Sequence, residues 1–476
     1  MAQGANDIRY VCLSDMHLGA EGSLLTNMPP GNPTADPLTA SPVLQDLVYC
    51  LRDLILRNED QASKPTLIFM GDILELALAN DNVAAMVFWR FIDLAMESGY
   101  ELFGNIVYVP GNHDHHLWES ARETQYVDNY LPGKDFLADP PWHTTNIFMI
   151  DDPNPVPSYF LNALLRRYGH LKDMTINTAY PNFGLMKGNR SVIFHHGHFI
   201  ESIYQLMTTL KNLIFPRLQE ETREIWDIEA ENFAWIDFFW STMGRSGEFG
   251  KDVEIIYDKM QDEAQLRKLV ENLATGLAEK YGKTGWLGSA IVKGVVDGLV
   301  AKLYNQERTQ TSKLLSLDAE QGLLDYVDGP LKMQIQKEWE KRQHLYFPDE
   351  ITIVFGHTHK PFEEPRTFPN LGNGVPVYNT GGWVVETPEP ASLHGGAVVL
   401  LNENLDVASL RMYNEADGPV KVAVHEQPLP GQPNSGFFDY ISKLVQPDQP
   451  PWTKFSQTVA GELGIRRENL KKKITT

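Results

Sequence analysis

Five short blocks carry residue types that bind metal ions: Asp15-Met16-His17, Gly71-Asp72, Gly111-Asn112-His113-Asp114, His196-Gly197-His198 and Gly356-His357-Thr358-His359. Between them they offer carboxylate, amide and imidazole donors and no thiolate. That donor set suits Mn²⁺, with Fe, Zn²⁺ and Co²⁺ as alternatives. A closed structural zinc site would favour cysteine and four ligands. The candidate ligands Asp15, His17, Asp72, Asn112, His196, His357 and His359 are too many for one ion. They suffice for two divalent ions about 3.5–4 Å apart that share a bridging carboxylate. Such a pair lowers the pKa of a bound water and clamps the attacking and phosphoryl oxygens of an in-line displacement. The reaction builds charge on the phosphoryl oxygens and the leaving group, where a nearby imidazolium stabilises it or donates a proton.

Taken singly, each block says little. Asp15 and His17 alternate on an extended segment, so both can project to one side of it. An aspartate after a strand, such as Asp72, is more often a turn or a helix cap, although Gly71 lets the backbone pass close to whatever Asp72 binds. The histidine distribution is more telling. Of 14 histidines, His17, His113, His115, His116, His195, His196, His198, His357 and His359 fall in or beside the five blocks. Core histidines would not gather in this way. His115, His116, His195 and His198 flank the candidate ligands, with packing as the ordinary role for each. Lys360 could reach a substrate phosphate, with a solvated lysine as the ordinary reading.

Each block follows an apolar, strand-like run: IRYVCLS, PTLIFM, NIVYVP, SVIFH and ITIVF. Ile8–Ser14, Leu67–Met70 and Asn105–Pro110 read as buried strands. Pro42–Arg57 and Val83–Met96 have helical apolar spacing, the first with its proline where a helix tolerates one. This βαβαβ alternation predicts a layered α/β domain, with ligands at the carboxyl ends of its strands. From about 199 to 345 the pattern turns helical. Strand patterns return at Ile351–Phe355, Val375–Tyr378, Gly396–Leu401 and Val407–Met412. The organisation expected is a catalytic domain over residues 1–198 and 346–417, interrupted by a helical insert over 199–345. A proline-rich extension over 418–476 follows, with a short helix near Phe437–Val445. The insert begins and ends near ligand blocks, which predicts that it overhangs the site. Its apolar residues (Ile203, Leu206, Met207, Leu210, Leu213, Ile214; then Phe233, Trp235, Phe238, Phe239, Trp240; then Trp286 to Tyr304) form either a self-contained helical core or a groove. A groove would hold an acyl chain or meet a membrane surface. The basic cluster of Arg466, Arg467 and Lys471 to Lys473 reads as a solvated tail, with contact with an anionic surface as the sharper alternative.

Bulk properties narrow the function classes. A chain of 476 residues with 42% hydrophobic and 22% charged residues is globular. Its formal net charge of −21 argues against unassisted gripping of DNA or RNA. Cys12 and Cys50 read as reduced, buried thiols. The beginning MAQGANDIRY shows no basic segment followed by an apolar one, which predicts a cytoplasmic protein. No apolar stretch is long and clean enough to span a bilayer. Nothing in the sequence sets an oligomeric state.

The series DMH, GD, GNHD, HGH and GHTH resembles the calcineurin-like metallophosphoesterase superfamily, over roughly residues 8–198 and 351–385. The resemblance implies a four-layer α/β/β/α sandwich, here carrying a large helical insert. It also implies that Asp15, His17, Asp72 and His359 hold one ion and that Asp72, Asn112, His196 and His357 hold the other, with Asp72 bridging. By the same resemblance Asn112 and His113 meet the substrate phosphate, with His198 a further candidate. His113 protonates the leaving group and Asp114 orients His113. Within the superfamily, GDILEL and GHTHKPF are similar to blocks of the UDP-2,3-diacylglucosamine hydrolases, which cleave a pyrophosphate in a lipid precursor beneath a helical cap. This chain departs from them in having His113 where they have arginine, and in its much longer insert.

The expected activity is hydrolysis of phosphoester or pyrophosphate bonds with two divalent ions, on a small-molecule, lipid-linked or nucleotide-linked substrate. The competing enzyme reading is an exonuclease-like DNA or RNA phosphodiesterase; the acidic charge and the lack of a basic, aromatic-interleaved groove count against it. A protein serine/threonine phosphatase has no specific support. A non-catalytic scaffold with the same fold predicts missing ligands, and none is missing.

Overall fold

The structure is a computed structural model. It describes residues 4–31, 34–133, 143–149, 155–214, 224–242, 312–341, 347–416 and 418–475, with isolated helical residues between 264 and 296. Most of the apolar segment from 286 to 304, and the Lys473 side chain, lie outside the described residues.

Two sheets face each other. The larger takes β1 (Tyr10–Leu13), β2 (Thr66–Met70), β3 (Asn105–Val109), β4 (Val156–Pro157) and β5 (Asn177–Thr178), joined by β11 (Gly395–Leu401), β12 (Val407–Asn414) and β13 (Ala423–His425). Its order is β13-β12-β11-β1-β2-β3-β5-β4, with β1, β2, β3 and β5 parallel to their neighbours in that run. The smaller takes β6 (Asn182–Lys187), β7 (Arg190–His195), β8 (Glu350–Phe355), β9 (Phe362–Phe368) and β10 (Gly372–Asn379) in the order β6-β7-β8-β10-β9. In it β7, β8 and β10 run parallel.

The period-2 alternation of each strand assigns its two faces. Val11 and Leu13 on β1, with Leu67 and Phe69 on β2, face outward onto one helical layer. Cys12, Ile68 and Met70 face inward and meet Phe194, Val354 and Tyr378 of the smaller sheet. Both cysteines are buried free thiols. The outer layer on the larger sheet includes helices Pro42–Ile55 and Asp81–Ala95. The first is capped by Ser41, whose side chain accepts the Leu44 N–H at 3.0 Å. The outer face of the smaller sheet (Ile193, Ile353, Phe355, Val377) is covered by Ile203, Leu206, Leu210, Trp235 and Trp240, with Leu323 and Ile335. The buried apolar residues of 199–345 that are described therefore share one core with this sheet and do not form a self-contained one, while Phe238 is exposed. Together the layers make an α/β/β/α sandwich. Among the described residues no helix is long and apolar enough to cross a membrane.

Residues 418–476 differ from the sequence reading. They add β13 to the edge of the larger sheet, the expected short helix at Gly436–Leu444, and a long helix, Trp452–Thr475, that the sequence reading missed. This last helix joins the outer layer through Trp452, Phe455, Val459 and Leu463. Arg466, expected to be solvated, is 1% exposed. Its guanidinium donates to the Ser23 and Thr26 carbonyls at 3.1 and 2.6 Å and meets Glu462 at 2.6 Å. Arg467 donates to Glu415. Replacing Arg466 by alanine should strand two carbonyls and a carboxylate, at a cost of about 3–5 kcal/mol. The check is the thermal unfolding midpoint; an unchanged value would mean that docking of this helix adds nothing to stability.

Candidate metal centre

All five blocks stand where parallel strands end. Asp15 follows β1, Asp72 follows β2, Asn112 follows β3, His196 follows β7 and His357 follows β8. The two sheets thus aim their ligand loops at one place. Among the described residues, non-glycine left-handed backbone occurs at Asp15, His17, Asp72, His357 and His359, and otherwise only at Leu405. Such a conformation costs on the order of 1–3 kcal/mol per residue and persists where the surroundings impose it, commonly at functional sites. Two glycines make the close approach feasible. A side chain at Gly71 would collide with the His196 ring, and one at Gly356 with the Asp15 carboxylate.

The side chains form three buried groups whose candidate ligand atoms lie within 4.8 Å of one another: Asp15 with His17 and His359, Asp72 with His196 and His357, and Glu75 with His17 and His113. In the first, His359 Nε2 is 3.4 Å from Asp15 Oδ1. In the second, His196 Nε2 lies 3.3 Å from Asp72 Oδ2, 3.1 Å from Asn112 Oδ1 and 3.3 Å from His357 Nδ1. Asp72 Oδ2 joins the two, because His17 Nε2 faces it at 3.6 Å. This oxygen is buried and has no hydrogen-bond donor among the described residues, whereas Asp72 Oδ1 accepts the His113 N–H at 2.8 Å.

The far nitrogens of the four histidines all meet oxygen. His17 Nδ1 is 2.9 Å from Glu75, His357 Nε2 is 2.5 Å from Glu201, His359 Nδ1 is 3.3 Å from Glu386 and His196 Nδ1 is 3.4 Å from the Met70 carbonyl. An oxygen on the far nitrogen fixes the tautomer and leaves the near nitrogen a lone pair for a metal. The donor set and the orphaned carboxylate oxygen both fit divalent ions. Sequence reasoning missed Glu75, Glu201 and Glu386. Glu75 had a signal, three residues past Asp72; Glu386 had none.

Charge is balanced internally. Burial alone would push the Asp72 carboxyl up, but His196, His113 and His17 outweigh it and hold it well below the usual carboxylate range. Burial disfavours an imidazolium at His196, yet Asp72 and Asp15 raise it to about 9.

The remaining candidates separate cleanly. His113 Nδ1 meets Glu75 Oε1 at 2.8 Å, so the orienting role implied for Asp114 falls to Glu75. Asp114 is a clamp on main chain: it accepts the N–H groups of Asp72, Ile73, Leu74 and Gly111 at 2.7–3.3 Å. Burial and then Asp72 push it up to about 6. His198 is buried beside the centre, with Nε2 3.4 Å from the Tyr180 hydroxyl and its ring 5.6 Å from that of His196. Burial, with His196 and His357 adding to it, holds His198 well below the ordinary imidazole value. His195 stacks on Phe355 and packs against Tyr326. His115 and His116 pair with the acidic residues Glu229 and Asp237. Lys360, expected to be solvated, is fully buried.

The family profile for calcineurin-like phosphoesterases matches residues 8–253, and the chain belongs to that family. His357 and His359 lie beyond the matched segment and are brought to it by the fold. No curated protein matches the sequence. Among solved structures the chain is similar to a dimetal phosphatase from Danio rerio, at 10% identity and a TM-score of 0.31, covering 89% of this chain and 100% of that one. Family and site together make the chain a metal-dependent phosphoester hydrolase.

Proposed function

We propose that this phosphoesterase uses two divalent ions to hydrolyse phosphodiester or pyrophosphate bonds in substrates linked to a lipid or a nucleotide. The observation that carries the reading is Asp72 Oδ2, buried without a donor and faced by His17 from one cluster and His196 from the other. Asp15, His17, Asp72 and His359 would hold one ion; Asp72, Asn112, His196 and His357 would hold the second. When bound, the pair supplies charge to the phosphoryl oxygens and makes hydroxide available at neutral pH.

The chain's own residues do the rest. Asn112 and His113 meet the phosphate. His113, anchored at Nδ1 by Glu75, stabilises the charge that develops on the phosphoryl group and gives a proton to the leaving oxygen. Tyr204 stands with its ring 5.2 Å from that of His357 and 4.9 Å from that of Trp240, and Phe199 lies 4.3 Å from His198. Tyr204, Trp240 and Phe199 are buried in the core behind the centre; it is the apolar composition of 199–345 that favours an acyl chain or a base attached to the phosphate. Contact with a membrane surface through 199–345 would accompany a lipid-linked substrate.

The test is hydrolysis of matched chromogenic phosphate mono- and diesters by metal-stripped protein reloaded with Mn²⁺, Fe²⁺, Zn²⁺ or Co²⁺, with and without detergent micelles. The expected outcome is diester cleavage that requires metal, is fastest with Mn²⁺ and rises with micelles. Metal-dependent monoester cleavage indifferent to micelles would overturn the substrate part. Cleavage without metal would overturn the whole reading.

A further inference from the structure

Three residues of the helical insert reach the turn that carries His113: Glu229, Ser241 and Asp237, whose Oδ1 lies 3.0 Å from His116 Nδ1 and 3.7 Å from His115 Nδ1. Glu229, on helix Ile225–Trp235, is fully buried. Its Oε1 lies 3.0 Å from His115 Nε2, and its Oε2 accepts the Tyr180 hydroxyl at 3.0 Å. Ser241 Oγ accepts the His116 N–H at 3.0 Å and donates to the His113 carbonyl at 3.2 Å. One hydroxyl therefore ties the His113 carbonyl to the His116 N–H across three peptide units, and the Glu229 carboxylate holds His115 within that stretch.

Taking a carboxylate and an imidazole out of water is costly, and an apolar pair of equal volume often serves packing as well. The arrangement is tolerable here because both oxygens of Glu229 are used. What it adds over an apolar contact is direction, since a hydrogen-bonded pair holds at one angle and one distance. Placement matters most for a group that must meet reacting atoms, where a misplacement of about 1 Å can cost about a hundredfold in rate.

We infer that Glu229 and Ser241 are positioning residues through which the insert sets where the His113 imidazole stands. The inference rests on the proposed role of His113 and extends the active site into a part of the chain that carries none of the five ligand blocks.

The test compares full-length, metal-loaded wild type with Glu229→Gln, Glu229→Asp and Ser241→Ala. The readouts are kcat, KM, bound metal and amide hydrogen exchange over residues 111–118. The expected result for Glu229→Gln and Ser241→Ala is a fall in kcat of about ten- to a hundredfold, with KM and metal content unchanged and faster exchange in that segment. Glu229→Asp should recover part of the rate. Wild-type kcat and wild-type exchange in both variants would overturn the inference. Loss of metal in step with the rate would overturn it too, by making these contacts a general support of the centre. Should Glu229→Gln fail to fold, Ser241→Ala decides, since it removes a single hydroxyl. Should the wild type cleave no phosphoester, the functional reading has failed, and the exchange comparison still reads the positioning.

Discussion

Asp72→Asn should give a folded protein that turns over at least about a thousandfold more slowly, since losing a shared ligand removes several kcal/mol and each 1.4 kcal/mol is about tenfold. The amide is the right replacement. Asp72 sits at a φ of 51°, and asparagine tolerates left-handed backbone where most residues do not. The amide oxygen can still accept the His113 N–H that Asp72 Oδ1 now takes. What disappears is the negative charge at Oδ2, toward which His17 and His196 converge. Metal content should fall below two ions per chain while far-ultraviolet circular dichroism stays as in the wild type. A variant with near-normal turnover would remove Asp72 from the centre of the mechanism.

His113→Ala should behave in the opposite way toward metal. Both ions remain bound, because Asp72 takes its hydrogen bond from the main chain of residue 113, which the substitution leaves in place. The rate falls by about a hundredfold to ten-thousandfold, the usual contribution of a proton-donating group. The loss should depend on the leaving group: large for an alkoxide that needs a proton, smaller for a nitrophenolate that does not. Equal losses on both would deny His113 the proton transfer and leave it only a role in charge stabilisation. Metal leaving in parallel with activity would make it a ligand instead.

Much of the centre was legible because its chemistry is local in sequence. Asp15 and His17, or His357 and His359, are two residues apart, and each block ends an apolar strand, so spacing and periodicity suffice to find them. The strands around them were legible for the same reason. Glu201 and Glu229 were not, since their roles exist only through partners 156 and 114 residues away. Before folding, a glutamate on a helical stretch is indistinguishable from a solvated one. Asp114 was misread because a carboxylate beside His113 invites a pairing that the turn does not make; its oxygens are consumed by four main-chain N–H groups. The helix Trp452–Thr475 escaped notice because Pro450 and Pro451 precede it, and Gly461 and Gly464 interrupt it. Its order comes from docking, with Arg466 reaching carbonyls near the other end of the chain.

Asp15, Asp72 and Asn112 come from the larger sheet, and His196, His357 and His359 from the smaller one. An ion bound between them is therefore a staple across the seam of the sandwich. Hydrogen bonds lace that seam as well, for instance from the His357 N–H to the Asp15 carboxylate, 342 residues away along the chain. With the proposed ions bound there, metal supply would govern more than rate. A ligand that binds only the assembled centre shifts the folding equilibrium by mass action, so a cell short of the right ion would hold a looser protein as well as an idle one.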